Sequence, residues 1–374
     1  MKHKFLLLFL LIPQLVSAYY VNHPCCDILQ PCGWWGSAEY MYAWRKHRFF
    51  PALVTTNPTA PPILGDPGTT VLFGDEFVGG NAKSSFRADF GVWISRCIGA
   101  GISGYSITQE EIKFSLDGGP TGTPIFGQPF FNTLTGVQSV NLLSFPGAQI
   151  NGHIDIEANN RIWSFDLYAR YRFLGSCCFK FDLLAGFLYN SLTDNLVVNT
   201  FTSGIIPPLN ASVSDNFSVK NQFYSGLIGF VAEWRSCSWA VNVIGKVGLG
   251  NMHRHVEISG FTAAGLAGTS TIIGSVNSGF LAQPSNIGTH THTQFEAVSQ
   301  ISTNIQLKIW PHIWATLGYT YIFWPSVDLA GNQIDLNINP TQIIGLIGAP
   351  APLFHENPTS FWAQGVTAGL YFCY

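Results

Sequence analysis

Eight cysteines, two histidine pairs and a few charges set among apolar residues are the side chains in this sequence that could do chemistry. The cysteines are Cys25, Cys26, Cys32, Cys97, Cys177, Cys178, Cys237 and Cys373. Their spacing matches no zinc pattern, which leaves disulfide chemistry as their use in an oxidising compartment. The neighbours Cys25-Cys26 and Cys177-Cys178 are poorly placed to close on each other. Their partners therefore lie elsewhere, either in this chain, stapling its turns, or in adjoining envelope proteins. His253-Arg-His255 and His290-Thr-His292 each place two imidazoles on one face of an extended chain, the beginning of a metal site. Both pairs flank a polar loop, where solvated histidine is the ordinary reading, so no metal is expected. There is no carboxylate pair, Gly-x-Ser-x-Gly elbow or phosphate loop. The sequence thus nominates no catalytic set and no cofactor, and the protein is expected not to be an enzyme.

The elements that carry these residues follow from composition and period. Only 10% of residues are charged while 14% are aromatic, and there are 38 glycines. Ordinary soluble domains carry about 25% charge. No apolar run beyond the N-terminus is long enough for a membrane helix, which needs about 20 residues. A chain of membrane-like composition without such helices satisfies its backbone in lipid as a closed barrel. The stretch Thr359 to Tyr374 alternates large apolar residues at even positions with small ones at odd positions, the pattern of a strand with one face in lipid and one in a lumen.

Similar alternation recurs near Trp34–Lys46, Ser85–Cys97, Ile102–Leu116, Arg161–Phe173, Phe179–Asn190, Asn221–Arg235, Trp239–Leu249, Val298–Ile309 and Trp314–Trp324. This predicts an all-β, transmembrane, antiparallel up-and-down β-barrel of ten strands, or twelve if a further hairpin lies between Phe126 and Glu157. Gln109, Glu110 and Glu111 interrupt the third strand, and Ile258 to Gln294 reads as loop. Connections alternate long and short, as in outer-membrane barrels with long external loops and short periplasmic turns. The parity places Asp166, Arg170, Arg172, Lys180, Asp182, Glu233, Lys246 and Lys308 inward as candidate lumen-lining residues. It also gathers all eight cysteines at the periplasmic side. Met1 to Ala18 has the basic tip, apolar core and small-residue cleavage pattern of a secretory signal peptide. The expected organisation is therefore a signal at 1–18, a cysteine-containing periplasmic extension at 19–33 and a barrel at 34–374.

Several segments resemble, in order, a putative beta-barrel porin family: Phe86-Arg-Ala-Asp-Phe-Gly-Val-Trp93, Asn221-Gln-Phe-Tyr-Ser-Gly226, Gly245-Lys-Val-Gly-Leu-Gly250, Leu317-Gly-Tyr-Thr-Tyr-Ile-Phe-Trp324, Gly331-Asn-Gln-Ile-Asp335, Asn339-Pro340 and Trp362-Ala-Gln-Gly-Val366. The resemblance implies an outer-membrane barrel and, by the family's name, a pore. The cysteine usage resembles that of chlamydial outer-membrane proteins in a disulfide-linked envelope, a likeness of organisation and not of sequence. The expected function is porin-like passive diffusion of small solutes. The alternative is a structural or surface-interaction protein cross-linked through periplasmic disulfides. The lipid bilayer is the expected partner, with other cysteine-rich envelope proteins as candidate partners. The mild net charge of −3 recommends no nucleic acid.

Overall fold

In the computed structural model, the described residues are 33–374 apart from 177, 206–207, 268–270 and 344. The expected signal peptide, the expected periplasmic extension as far as Cys32, with Cys25 and Cys26, and Cys177 lie outside them. Ten long strands form the wall: β1 (Trp34–Arg45), β2 (Lys83–Trp93), β3 (Ile98–Asp117), β4 (Gln149–Gly175), β5 (Phe179–Gly204), β6 (Leu209–Arg235), β7 (Trp239–Leu266), β8 (Gly288–Trp310), β9 (Ile313–Val327) and β10 (Thr359–Cys373). Each pairs antiparallel with its sequence neighbours, and β10 pairs with β1 from Trp35↔Cys373 to Arg45↔Ala363. That last ladder closes the sheet, so no wall edge is left unpaired in lipid.

The parity is as expected. In β4, Trp163, Phe165, Leu167, Tyr171 and Phe173 point outward and are exposed, while Ser164, Asp166 and Tyr168 are buried inside. Aromatic rings form a belt at each end of this apolar band. Trp163, Tyr189 and Tyr224 run in series at 4.9 Å centroid spacings, and Phe179 packs on Trp234 at 4.9 Å near the opposite rim. Rings of this kind anchor strands at the two interfaces.

Four strands go far beyond the membrane. Strands β4 to β7 have 26 to 28 residues, against the 9 to 11 a tilted membrane strand needs. Above Trp163, the outward positions of β4 turn polar at Arg161, Asn159 and Glu157, and its inward positions turn apolar at Ala158, Ile156 and Ile154. The alternation inverts because the outer face there meets water. Two expected loops are therefore mostly wall. The connection between β5 and β6 shrinks to 205–208, and the stretch from Ile258 holds the end of β7 and a short strand, Ile272–Val276, hairpinned onto it.

The third strand is continuous through Gln109-Glu110-Glu111, but bulged. Ile107 pairs with Ile162 and Glu110 with Asn160, leaving Thr108 and Gln109 opposite Arg161 alone. The extra residue shifts the inward parity from odd to even, which brings Glu110 inside, 2% exposed. A hairpin does form within Phe126 to Glu157, from Phe126–Asn132 and Val137–Ser144, but it does not enter the wall. It joins Val54–Thr56, Thr70–Phe73 and Asn337–Ile338 in a small separate sheet. Three long connections thus share one sheet. Its Val54, Phe73, Phe126 and Phe130 bury against inward residues of the tall strands, among them Ile154, Val198, Phe217 and Ile258. Each such side chain contributes about 1.5 to 3 kcal/mol on burial, enough to hold the long-loop end of the barrel filled.

The described cysteines all sit at the short-turn rim: Cys97 before β3, Cys178 before β5, Cys237 before β7 and Cys373 at the end of β10. Cys97 and Cys178 are exposed thiols without a partner among the described residues of this chain, so the expected disulfides at these two positions are not made within the wall. Cys237 and Cys373 are not free. If the short turns face the periplasm, as the loop lengths lead one to expect, a membrane-impermeant maleimide will label Cys97 and Cys178 in opened envelopes and leave them unlabelled in intact cells; labelling of intact cells would invert that orientation.

Candidate functional site

A barrel's chemistry lies where its inward side chains converge, and here they converge in layers. Nearest the short-turn rim, Asp182 receives Arg170 at 2.6 Å and also Arg172. Glu233 meets Arg235 at 2.8 Å and Lys180 at 3.8 Å. These charges are braced by aromatic faces: Arg170 lies 5.1 Å from the Trp35 ring centre, Arg172 4.7 Å from Trp93 and Arg235 4.7 Å from Trp314. Guanidinium over indole is favourable by about 0.5 to 2 kcal/mol.

One step deeper, Lys246 donates to Asp166 at 2.5 Å and to Ser103 at 2.8 Å. Asp89 accepts from Trp35 Nε1 at 2.8 Å and from the Tyr168 hydroxyl at 2.6 Å. Arg87 donates to Ser302 at 3.0 Å and Thr320 at 3.1 Å, and stands 3.8 Å from Glu39. An apolar layer follows, including Met41, Ile107, Leu192, Phe223 and Ile322.

Above it, Arg48 joins Asp194 at 2.5 Å and approaches Glu110 at 3.6 Å. Arg45 donates to the Thr108 carbonyl at 2.6 Å and to the Asn160 side-chain oxygen at 2.8 Å. Asp194 also accepts the backbone N–H of Ala330 at 2.8 Å. A strap following β9 is thereby tied down. Asn221 holds it a second time, donating to the Asp328 carbonyl and accepting the Asp328 N–H, both at 2.9 Å. The strap runs so close to the first long connection that a β-carbon on Gly331 would lie 2.1 Å from the Phe49 carbonyl oxygen. Only glycine fits there.

Of the eight candidate lining residues, seven belong to these layers. Lys308 keeps the inward parity but lies exposed at the rim, 5.8 Å from the Trp314 ring centre. Sequence reasoning missed the Arg45, Arg48, Glu110 and Asp194 cluster. Arg45 had the signal of inward parity on β1. Arg48 had none, since it sits past the strand end, and Glu110 was hidden by the bulge. The histidines do not assemble. His253 pairs across the ladder with Thr293 and His290 with Val256, so the two pairs face opposite sides of the wall. Among the described residues there is no cluster with the makings of a metal site.

A further latch lies at the outer end of β6, beyond the membrane band. Asp215, 1% exposed, accepts the backbone N–H groups of Leu281 at 2.9 Å, Ala282 at 2.7 Å and Phe280 at 3.3 Å. Burial raises this carboxyl to about 7, against the pull of the three donors.

The sequence matches the family described as Putative beta barrel porin-7 over residues 35–374. Curated protein sequences give no match. Among solved structures, the chain is similar to the outer membrane protease OmpT of Escherichia coli, with a TM-score of 0.44 and 9% identity over 92% of this chain and 97% of that one. A Pseudomonas aeruginosa FadL homologue gives 0.23 at 7% identity, covering 94% and 93%. The monoaromatic hydrocarbon channel TodX gives 0.25 at 6%, covering 95% of each chain.

Two outcomes follow from the layers. Lys246→Met leaves Asp166 as an unpaired buried charge and should destabilise the barrel by about 3 to 5 kcal/mol, whereas Lys246→Met with Asp166→Leu should recover most of that loss. Thermal unfolding followed by gel mobility distinguishes the two variants. At the latch, Asp215 holds its proton more tightly when docked than when free. Docking is therefore strongest at or below the ordinary value of 3.8, weakens as pH rises toward about 7, and levels off above it. Amide exchange at Leu281 and Ala282, corrected for intrinsic rates, should show less protection at pH 8 than at pH 5.

Proposed function

Because the chain belongs to the Putative beta barrel porin-7 family, we propose that it is a porin-like outer-membrane barrel passing small solutes by diffusion, and that its own loops close the passage at rest. The observation that carries this reading is the strap after β9. It crosses the interior of the barrel, yet the wall grips it through the N–H of Ala330 and the N–H and carbonyl of Asp328. Hydrogen bonds of this kind are worth about 1 kcal/mol each, or about 1.5 to 3 where one partner is charged. Releasing the strap costs far less than opening the wall, whose β5–β6 and β6–β7 ladders run nearly the full length of each strand. Past the apolar layer below the strap, the lumen is polar and ion-paired, which suits small hydrated solutes better than apolar ones. Ten strands lie between the eight that side chains just fill and the 16 to 18 that leave a wide channel.

A second reading rests on the rim. Cys97 and Cys178 are free and exposed on the short-turn side, and in an oxidising periplasm such thiols are available to thiols of neighbouring envelope proteins. The barrel would then also act as an anchored, surface-exposed structural protein with disulfide cross-links. The basic tip, apolar core and small-residue pattern of Met1 to Ala18 support export to the outer membrane in either case.

Purified protein in planar bilayers separates the readings. The native chain should show rare, small openings, and Gly331→Val, which displaces the strap without touching a wall strand, should raise the open fraction at least tenfold. Silence from both across several voltages, together with no glycerol-driven swelling of proteoliposomes, would remove the diffusion reading. Non-reducing electrophoresis of whole envelopes tests the other: reductant-sensitive species above the monomer are expected, and their loss in Cys97→Ser with Cys178→Ser would assign them to the rim.

A further inference from the structure

Between the ion-paired rim layer and the Arg87 cluster, the lumen contains a cavity of about 50 Å³. Four side chains that line it have a buried oxygen with no hydrogen-bond donor; Glu233 Oε1 is ion-paired to Arg235 at 2.8 Å, which leaves three others, Glu39 Oε2 on β1, Asn242 Oδ1 on β7 and Gln306 Oε1 on β8. The residues are 3%, 8% and 3% exposed. Unsatisfied buried acceptors are uncommon because each is costly, and three converging on one space from three strands mark it as a place for a donor.

The neighbouring charges indicate what kind of donor. Lys246 is committed to Asp166 and Ser103, Arg170 to Asp182, and Asp89 to Trp35 and Tyr168. Glu39 itself faces Arg87 at 3.8 Å. An ion entering this layer would meet charges that are already paired and would lose its hydration without compensation. A neutral molecule with several hydroxyl or amide hydrogens loses less and satisfies the oxygens that the protein leaves open. The rings of Trp35, Tyr168 and Tyr371 form apolar sides for its carbons. A single water needs about 10 to 15 Å³ on the same measure, so the space takes a few heavy-atom groups and no sugar.

We propose that this cavity is a binding subsite for small uncharged polyols, with Glu39, Asn242 and Gln306 accepting the hydroxyl hydrogens. The inference deepens the diffusion reading above and rests on it.

The test uses glycerol as the probe and the full chain in proteoliposomes, in the Gly331→Val background, with potassium chloride conductance measured on the same preparations. Gln306→Leu and Asn242→Leu each remove an acceptor while keeping an apolar side chain of similar volume, and folding is checked by heat-modifiable gel mobility. The expected result is a fall of about tenfold in the ratio of glycerol swelling rate to chloride conductance, the loss of one hydrogen bond. An unchanged ratio, including an equal fall in both rates, overturns the subsite while the channel stands. Passage of neither solute in any variant removes the channel, and the subsite with it.

Discussion

A peptide group in lipid has no water to bond, and this architecture answers that constraint before any other. The β1–β10 ladder, eleven residue pairs from Trp35↔Cys373 to Arg45↔Ala363, converts an open sheet into a closed one. Everything inward follows from that closure. Once the strands are held in a ring, alternate side chains must share a narrow interior, and the polar ones must find each other. Lys246 reaches Asp166 because β7 and β4, three strands apart around the ring, both turn these side chains into the same narrow lumen. Arg170, Arg172 and Asp182 meet on adjacent strands, through the register that pairs Arg172 with Asp182.

The interior is graded. Paired charges occupy the short-turn end, apolar side chains the middle, and a second charged knot ties the strap beneath an apolar plug. Buried ion pairs add little stability over apolar residues of the same volume. Their arrangement here gives the charges of these ion-paired layers opposite partners and leaves a few oxygens open, a matter of pairing and not of strength. The strap and the plug fill the other end, the strap held by a few hydrogen bonds and the plug by a broad apolar contact with the tall strands.

Much of this was legible in the residues. Strand parity in β4, with Trp163, Phe165 and Leu167 against Ser164, Asp166 and Tyr168, fixes both the wall and the lumen, because lipid and lumen demand opposite residue types. Parity at Arg45 and Glu39 pointed inward as well. What escaped has physical causes. Beyond Arg161 the pattern inverts, apolar residues facing in at Ile156 and Ile154, so a search for lipid-facing alternation ends where the membrane does and mistakes wall for loop. The bulge at Thr108 and Gln109 displaces the phase by one residue and disguises Glu110 as a surface charge. Arg48 and the strap owe their positions to folding of long connections onto the wall, which no local period records.

The difference in height around the barrel has a mechanical consequence. Strands β1 and β2 have 12 and 11 residues, whereas β4 to β7 have 26 to 28. The outer part is therefore a half-cylinder, a tall palisade on one side whose missing side is made up by packed connections. Those connections contribute no rung to the palisade, so the mouth they cover faces sideways, parallel to the membrane surface. Traffic would then enter from the flank, along the lipid headgroups, and descend only afterwards.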